Sequence, residues 1–443
     1  MILQREGRAD EARQTLCAAA DAFVELGNTA GRADALRQLG LVELFSGRLD
    51  EADGIVRQAL DAFVEIGDRT GEAWCLQNMA WIAFVTGHMD VAAEQIERSI
   101  ATFAKIGDTR GMAWALGLLA YVRFQQGDAE EAEALAEQIH KEARTRGDRW
   151  AVGMMVMLLG MVRLWSGRTD EAVAHLSEAR DEFDDVGDGY GLTMSTASLG
   201  RALAMVGRVD DGLALVENAR HLSAGTSGIG PVDEPVAIAT LTRAAIGVQV
   251  GDPAIVDESI AALAWGDERD GTPEAPPERR VALALAAMQR GDLLAARDRL
   301  GPDSLDAVEA QPPSELAARA LLAALEGSSA VAAVADRVVA TGRSTYLDRM
   351  FADLAVALGA ARQGDASVAV ARLTAAARGM QLTGDRLGTA VMLLAADSVR
   401  ARLGEGYAGG PTGDARTRLD AMGIRAEGWS RLFDLAAGVT RVG

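Results

Sequence analysis

The side chains that do most protein chemistry are thinly spread here. The four histidines are His88, His140, His175 and His221. No two stand four residues apart and none sits in HExxH, the spacing that sets two imidazoles on one helix face around zinc. Lys105 and Lys141 are the only lysines among 44 basic residues. Neither follows a glycine, so a phosphate loop of the GxxxxGK[ST] kind is excluded. The run GTSGIG (225–230) looks like a nucleotide-binding glycine stretch, but nothing strand-like precedes it. No GxSxG elbow occurs, and the carboxylates show no spacing that asks for acid–base work. Cys17 and Cys75 lie on apolar helical stretches in different parts of the chain, which is no disulfide framework and suits a reducing cytoplasm. The expectation is a protein that is not an enzyme and needs no cofactor or metal.

The chain that carries these residues is periodic. A six-residue stretch recurs every forty positions: GRADEA at Gly7, GRLDEA at Gly47, GHMDVA at Gly87, GDAEEA at Gly127, GRTDEA at Gly167 and GRVDDG at Gly207. Halfway between stand Gly27, Gly67, Gly107, Gly147 and Gly187, four of them followed by Asp. Self-similarity at this period means a repeat array. Within one unit, Ala73, Trp74, Leu76, Met79, Ala80, Ile82, Ala83 and Phe84 recur at helical spacing, and so do Ala92, Ala93, Ile96, Ile100 and Phe103. Each unit therefore reads as helix A, turn, helix B, turn, and no sheet is expected.

Aligned columns give the packing. Gly40, Ala80, Ala120, Gly160 and Gly200 form one small column; Ala52, Ala92, Ala132, Ala172 and Gly212 form another. Leu39, Met79, Leu119, Leu159 and Leu199 fill the space between them. A lone hairpin cannot bury these stripes, whereas stacked hairpins can.

A small residue in mid-helix A, Gly at the turn and Ala in the first turn of helix B resemble the tetratricopeptide repeat. The stretch GDRTGEAWCLQNMAWIAFVTGHMDVA (67–92) is similar to the forty-residue class found in spindle-orientation adaptors and in the sensor halves of large bacterial transcription and cyclase-type regulators. The resemblance is strong over 7–223. It implies an all-α, right-handed α-solenoid, a superhelix of about ten to eleven helical hairpins. In adaptor members an Asn just before the Leu-Gly pair of helix A clasps the ligand backbone. That column here reads Gln38, Asn78, Leu118, Leu158, Ser198, matching only at Asn78.

The same resemblance marks helix A as the lining of a concave groove. Its columns read Asp34, Trp74, Trp114, Met154, Met194; then Leu41, Trp81, Tyr121, Met161, Arg201; then Leu44, Phe84, Phe124, Leu164, Ala204; then Phe45, Val85, Gln125, Trp165, Met205. Five of the seven tryptophans fall between 74 and 165. Two readings stay open. Either neighbouring helices bury these side chains, or they form an apolar groove whose contact residues are Trp74, Asn78, Trp81, Phe84, Trp114, Tyr121, Phe124, Met154, Met161 and Trp165. Met and aromatic side chains adapt to varied apolar shapes, so an amphipathic or extended apolar protein segment would suit such a groove, as would a small apolar effector.

Three regions are expected: a regular array over 1–223, a loop-rich transition with a short helical pair over 224–280, and degenerate repeats with a closing cap over 281–443. Loops are read at 223–235, 266–278 and 404–414. Only six residues precede Gly7, so the first repeat is expected to lack most of helix A; either a chain start tolerates this, or the chain is the C-terminal part of something larger. The net charge of −20 and the absence of a basic stripe argue against direct nucleic-acid binding. Much of the acid has a structural reason, because Asp50, Glu51, Asp90, Glu130, Glu131, Asp170 and Glu171 open helices B at the positive end of the dipole. No apolar run approaches the ~18–20 residues that span a bilayer, and no signal segment opens the chain, so a cytoplasmic location is expected. The functional expectation is a non-catalytic interaction scaffold, the alternative being the ligand-sensing arm of a larger bacterial regulator.

Overall fold

The computed structural model describes residues 9–223, 234–263, 277–301, 311–402 and 414–436. The glycine run 225–230, the loop 404–414 but for its last residue, and most of the loops at 223–235 and 266–278 lie outside them. The described residues form 22 helices and no strand, an all-α helical-repeat solenoid.

The first part of the chain is a ladder of hairpins: α1 (Ala9–Glu25), α2 (Thr29–Phe45), α3 (Leu49–Ile66), α4 (Arg69–Val85), α5 (Met89–Ile106), α6 (Thr109–Gln126), α7 (Ala129–Arg146), α8 (Arg149–Ser166), α9 (Thr169–Val186), α10 (Gly189–Met205) and α11 (Val209–Ser223). The Gly-Asp landmark explains why two residues suffice between helices. Gly67 adopts a left-handed φ of 70° and ends α3, a conformation that glycine reaches without a Cβ penalty. Asp68 then accepts from the backbone N–H groups of Thr70 and Gly71 and starts α4, satisfying donors that no helical carbonyl can reach. Asp108 and Asp128 repeat the device. At the other turn, Arg48 and His88 stand at the N-cap, and neither side chain caps the helix backbone. There Asp50 and Glu51, or Asp90, fill the first turn, where a carboxylate meets the helix dipole favourably.

The small columns let helices touch. Ala52, Ala80, Ala92, Ala120, Ala132 and Ala172 are fully buried, and a Cβ on Gly40 would strike Val56. Between helix B and the next helix A runs a second pairing. Phe63 lies on Gly71, Phe103 on Gly111 and Phe183 on Gly191, so that any side chain at those glycines would collide with the ring. At the start of the ladder, Cys17 and Val24 of α1 and Leu26 just after it are exposed.

By contact density the described chain divides into two compact units. The first holds residues up to 162 with 175–196 and 219–236; the second holds 163–174, 197–218 and 237 onward. The second unit contains α12 (Glu234–Val250) but for its first residues, α13 (Pro253–Ala262), α14 (Pro277–Arg290), α15 (Leu293–Leu300), α16 (Pro313–Glu326), α17 (Val331–Ala340), α18 (Tyr346–Arg362), α19 (Ala366–Leu382), α20 (Arg386–Arg402), α21 (Asp414–Ala421) and α22 (Glu427–Ala436). Its last helices fold back over the turns of its earlier ones. The Tyr346 ring covers Gly167, and Thr169 donates from N–H and hydroxyl to the Thr383 carbonyl, both at 3.0 Å. Arg386 donates to the Val206 carbonyl at 3.3 Å. Trp429 packs on Gly251 and gives its indole N–H to the Gln249 carbonyl at 2.9 Å, and Arg362 bridges the Leu325 and Leu435 carbonyls. Phe351, Trp429 and Phe433 stack with centroids 6.3 and 5.8 Å apart, and all three are buried.

Candidate functional site

In the first unit, aromatic side chains of helices A meet one another, and Phe103 of a helix B, edge to face. Trp74 lies against Phe103 at 5.1 Å and 70°, with the Arg37 guanidinium 5.9 Å over its ring. Trp81 meets Phe84 at 5.8 Å, and Phe84 meets Tyr121 at 6.3 Å. Such T-shaped pairs set the positive edge of one ring against the negative face of another. At the next step the pattern changes: Trp114 stacks on Trp150 at 4.9 Å and 19°.

Beside that stack lies an open apolar recess of about 400 Å³, counted out to its mouth. Trp81 of α4, Trp114, Gly117 and Tyr121 of α6, and Trp150 and Met154 of α8 form most of its wall; Leu118, Met155, Ala113 and Ala151 complete it, and α7 contributes Ile139 and Arg146. Two of its polar groups are already engaged. The Tyr121 hydroxyl donates to the Met154 carbonyl at 2.7 Å, and burial pushes its phenol above the usual range. The Trp150 indole N–H donates to the Asp188 carboxylate at 2.5 Å. Both bonds hold rings in place, so the wall is fixed by contacts of the fold itself.

Of the residues the sequence marks, Trp81, Trp114, Tyr121 and Met154 come together in this recess. Phe84 stands behind it, half-buried between Trp81 and Tyr121. Phe124 is buried at 4% exposure. Asn78 is also buried and donates to the Arg37 carbonyl of the preceding helix A at 3.3 Å. Trp74 and Met161 are half-buried outside the lining, and Trp165, 37% exposed, belongs to the second unit. Helix A columns alone miss Trp150, which stands in the first turn of α8, and Ile139 and Arg146, which come from a helix B.

The signal that locates the recess is a paired exception. The column Phe23, Phe63, Phe103, Ala143, Phe183 loses its ring only at Ala143, and the facing column Gly31, Gly71, Gly111, Ala151, Gly191 gains a methyl only at Ala151. Where Phe103 lies beside Trp74, Trp114 instead stacks on Trp150 of the next helix A, and Ala143 is fully buried. Gly117 widens the recess, because a Cβ there would meet only Met155, at 3.5 Å.

The histidines are tied into local contacts. His88 Nδ1 lies 2.9 Å from the Thr86 hydroxyl. His140 accepts from Arg144 at 2.8 Å, and burial together with that guanidinium holds its pKa below the ordinary value. Among the described residues no three His, Cys, Asp or Glu side chains gather as a metal site, and no helix is long and apolar enough to cross a membrane.

Residues 32–105 match the family model described as tetratricopeptide repeat. No curated protein matches the chain. Among solved structures it is similar to BtubC (BKLC) from P. vanneervenii, at 19% identity over 51% of this chain and 94% of that one, with a TM-score of 0.40. It is similar to the apo form of the quorum sensor NprR from B. thuringiensis, at 9% identity over 90% and 99%, TM-score 0.42. A third is the APC/C hetero-tetramer Cut9-Hcn1, at 11% identity over 98% and 94%, TM-score 0.33. Residues 32–105 thus carry tetratricopeptide-repeat sequence, and helix pairs of similar length follow them as far as Ser223.

Proposed function

We propose that this protein is a non-catalytic scaffold that holds an apolar or amphipathic segment of a partner protein against the helix A face of its first unit, with the Trp81–Trp114–Tyr121–Met154 recess as the anchoring point. The observation that supports this reading is the open recess itself. Isolated exposed apolar residues are ordinary, but a concave apolar wall with aromatic and Met side chains is the composition of interface hot spots. The same wall suits the alternative reading, a regulatory arm that senses a small apolar effector, since small-molecule sites are lined mainly by apolar and aromatic side chains.

The test is affinity capture from source lysate with wild type and with Trp81→Ala and Trp114→Ala variants, each checked by circular dichroism. A protein retained by wild type and lost by folded variants supports the scaffold reading. Equal retention by all three sinks it. If no protein depends on the two tryptophans but an apolar small molecule co-purifies with wild type alone, the effector reading takes its place.

A further inference from the structure

We infer that Arg201 anchors a binding site in the second unit for a ligand that carries a single carboxylate. This goes beyond the scaffold reading, which concerns the first unit and does not depend on Arg201. Three observations carry it.

First, Arg201 breaks a helix A column that is otherwise apolar or aromatic. Positions forty residues apart read Leu41, Trp81, Tyr121, Met161 and then Arg201. The packing columns of the same helix, α10, stay in pattern at Leu199 and Gly200. The change to a cation is therefore confined to one face, and the stacking of the hairpins does not ask for it.

Second, the guanidinium is set deep and has no partner. Arg201 is half-buried, its Nε is sealed from solvent, and among the described residues it makes no hydrogen bond or ion pair. Burial holds its pKa below the ordinary value. A lysine so placed could shed its charge, whereas an arginine keeps its proton in proteins. A desolvated charge of this kind needs an opposite charge and hydrogen bonds to offset it. Two other deeply set arginines of the second unit have that offset: Arg163 lies 3.3 Å from Glu171, and Arg319 lies 2.9 Å from Glu315. The two terminal nitrogens of Arg201, unlike Nε, are not sealed. They are the edge of the fork that takes both oxygens of a carboxylate in parallel.

Third, a nearby charge limits what can enter. The carboxylate whose field reaches Arg201 is that of Asp348, on α18. It is already engaged, because one oxygen accepts from the Thr345 N–H and hydroxyl, both at 2.8 Å, and closes the capping box that starts the helix. Asp348 thus acts on Arg201 from a distance without taking its hydrogen bonds. A ligand with two negative charges would be repelled by that same field, and the net charge of −20 acts in the same sense. One carboxylate fits; a phosphate dianion does not.

The test is isothermal titration calorimetry on the full chain with wild type, Arg201→Met and Arg201→Lys. The probes are octanoate, methyl octanoate, octyl phosphate, and N-acetyl-trialanine with a free or an amidated C-terminus. Wild type should bind octanoate or the free-acid peptide saturably, and neither the ester nor the amide. Arg201→Met should lose roughly 30-fold or more in affinity, the scale of removing one partner of a buried charge pair. Arg201→Lys keeps the charge without the fork and should lose on the order of tenfold; it also keeps the test decisive if Arg201→Met folds poorly. Octanoate bound more tightly than the peptide assigns the site to a small carboxylic acid, and the reverse assigns it to a chain terminus.

Equal affinity for all three proteins, or an ester bound as tightly as its acid, would overturn the inference. Octyl phosphate bound more tightly than octanoate would overturn the single-charge assignment. If no probe binds wild type even in the millimolar range, water satisfies Arg201 and the site falls. None of these outcomes touches the scaffold reading, which stands or falls on Trp81→Ala and Trp114→Ala.

Discussion

Two aromatic clusters, one in each unit, are built from the same residue types and end in opposite states. Phe351, Trp429 and Phe433 in the second unit are sealed, with Trp429 at 1% exposure. There the chain supplies its own amphipathic helix, α22, which covers helix ends and satisfies their carbonyls through the Trp429 indole and the Gly428 N–H. Trp81, Trp114 and Trp150 in the first unit stay half-buried around an open recess, and no described helix closes it. A large aromatic side chain on a repeat array thus has two fates. It is core where the chain returns to cover it, and it is available surface where the chain does not.

The largest test of this contrast is Trp429→Ala. Loss of a fully buried ring and of its hydrogen bond is expected to destabilise the second unit by about 3–5 kcal/mol, read from urea unfolding of the full chain. A change below about 1 kcal/mol would show that α22 is not held as core, and the two clusters would no longer differ in kind.

Next in size is a pH effect confined to the sealed region. Asp385 is buried at the start of α20, where it accepts from the Tyr346 hydroxyl at 3.0 Å and the Gly388 N–H at 2.7 Å. Burial outweighs those bonds and raises its pKa to about 6 from an ordinary 3.8. The folded state therefore holds a proton that the unfolded chain releases near pH 4. The stability linked to that proton is fully present below about pH 4 and is lost as pH rises through about 6. The difference is on the order of 3 kcal/mol. Asp385→Asn should flatten the stability profile between pH 4 and 7 relative to wild type; parallel profiles would remove Asp385 from the account.

Trp114→Ala should be milder for folding, at about 1–2 kcal/mol, because the ring is already partly in water. A loss as large as that of Trp429→Ala would mean that the first cluster is core as well. The smallest effect belongs to Gly117→Ala. Without a Cβ clash to oppose it, the substitution should raise stability by roughly 0.5–1 kcal/mol. A loss of stability there would show that the space beside Met155 is already in use.

What could be read from the residues follows from distance along the chain. The hairpin boundaries at Gly67-Asp68 and Gly107-Asp108, the small columns through Ala80 and Ala92, and the buried Leu39–Met79–Leu119 series depend on contacts within one repeat or between adjacent ones, and the forty-residue step exposes them. Trp81, Trp114, Tyr121 and Met154 were legible as a stripe for the same reason. Trp150, Ile139 and Arg146 were not, because they reach the recess from an α8 first turn and from α7. Asn78 alone matched the clasp column, and its side chain donates to the Arg37 carbonyl of the neighbouring helix A.

By itself, then, the sequence determined the helical hairpin, its capping and its period, since each follows from local backbone preference and from apolar spacing repeated in register. Tertiary structure alone decided which aromatic residues are covered. Trp429 meets Gln249 across 180 residues, and Trp114 stacks on Trp150 of the next helix A. Whether a volume is filled depends on side chains from several helices at once, and no single stretch of sequence contains that sum.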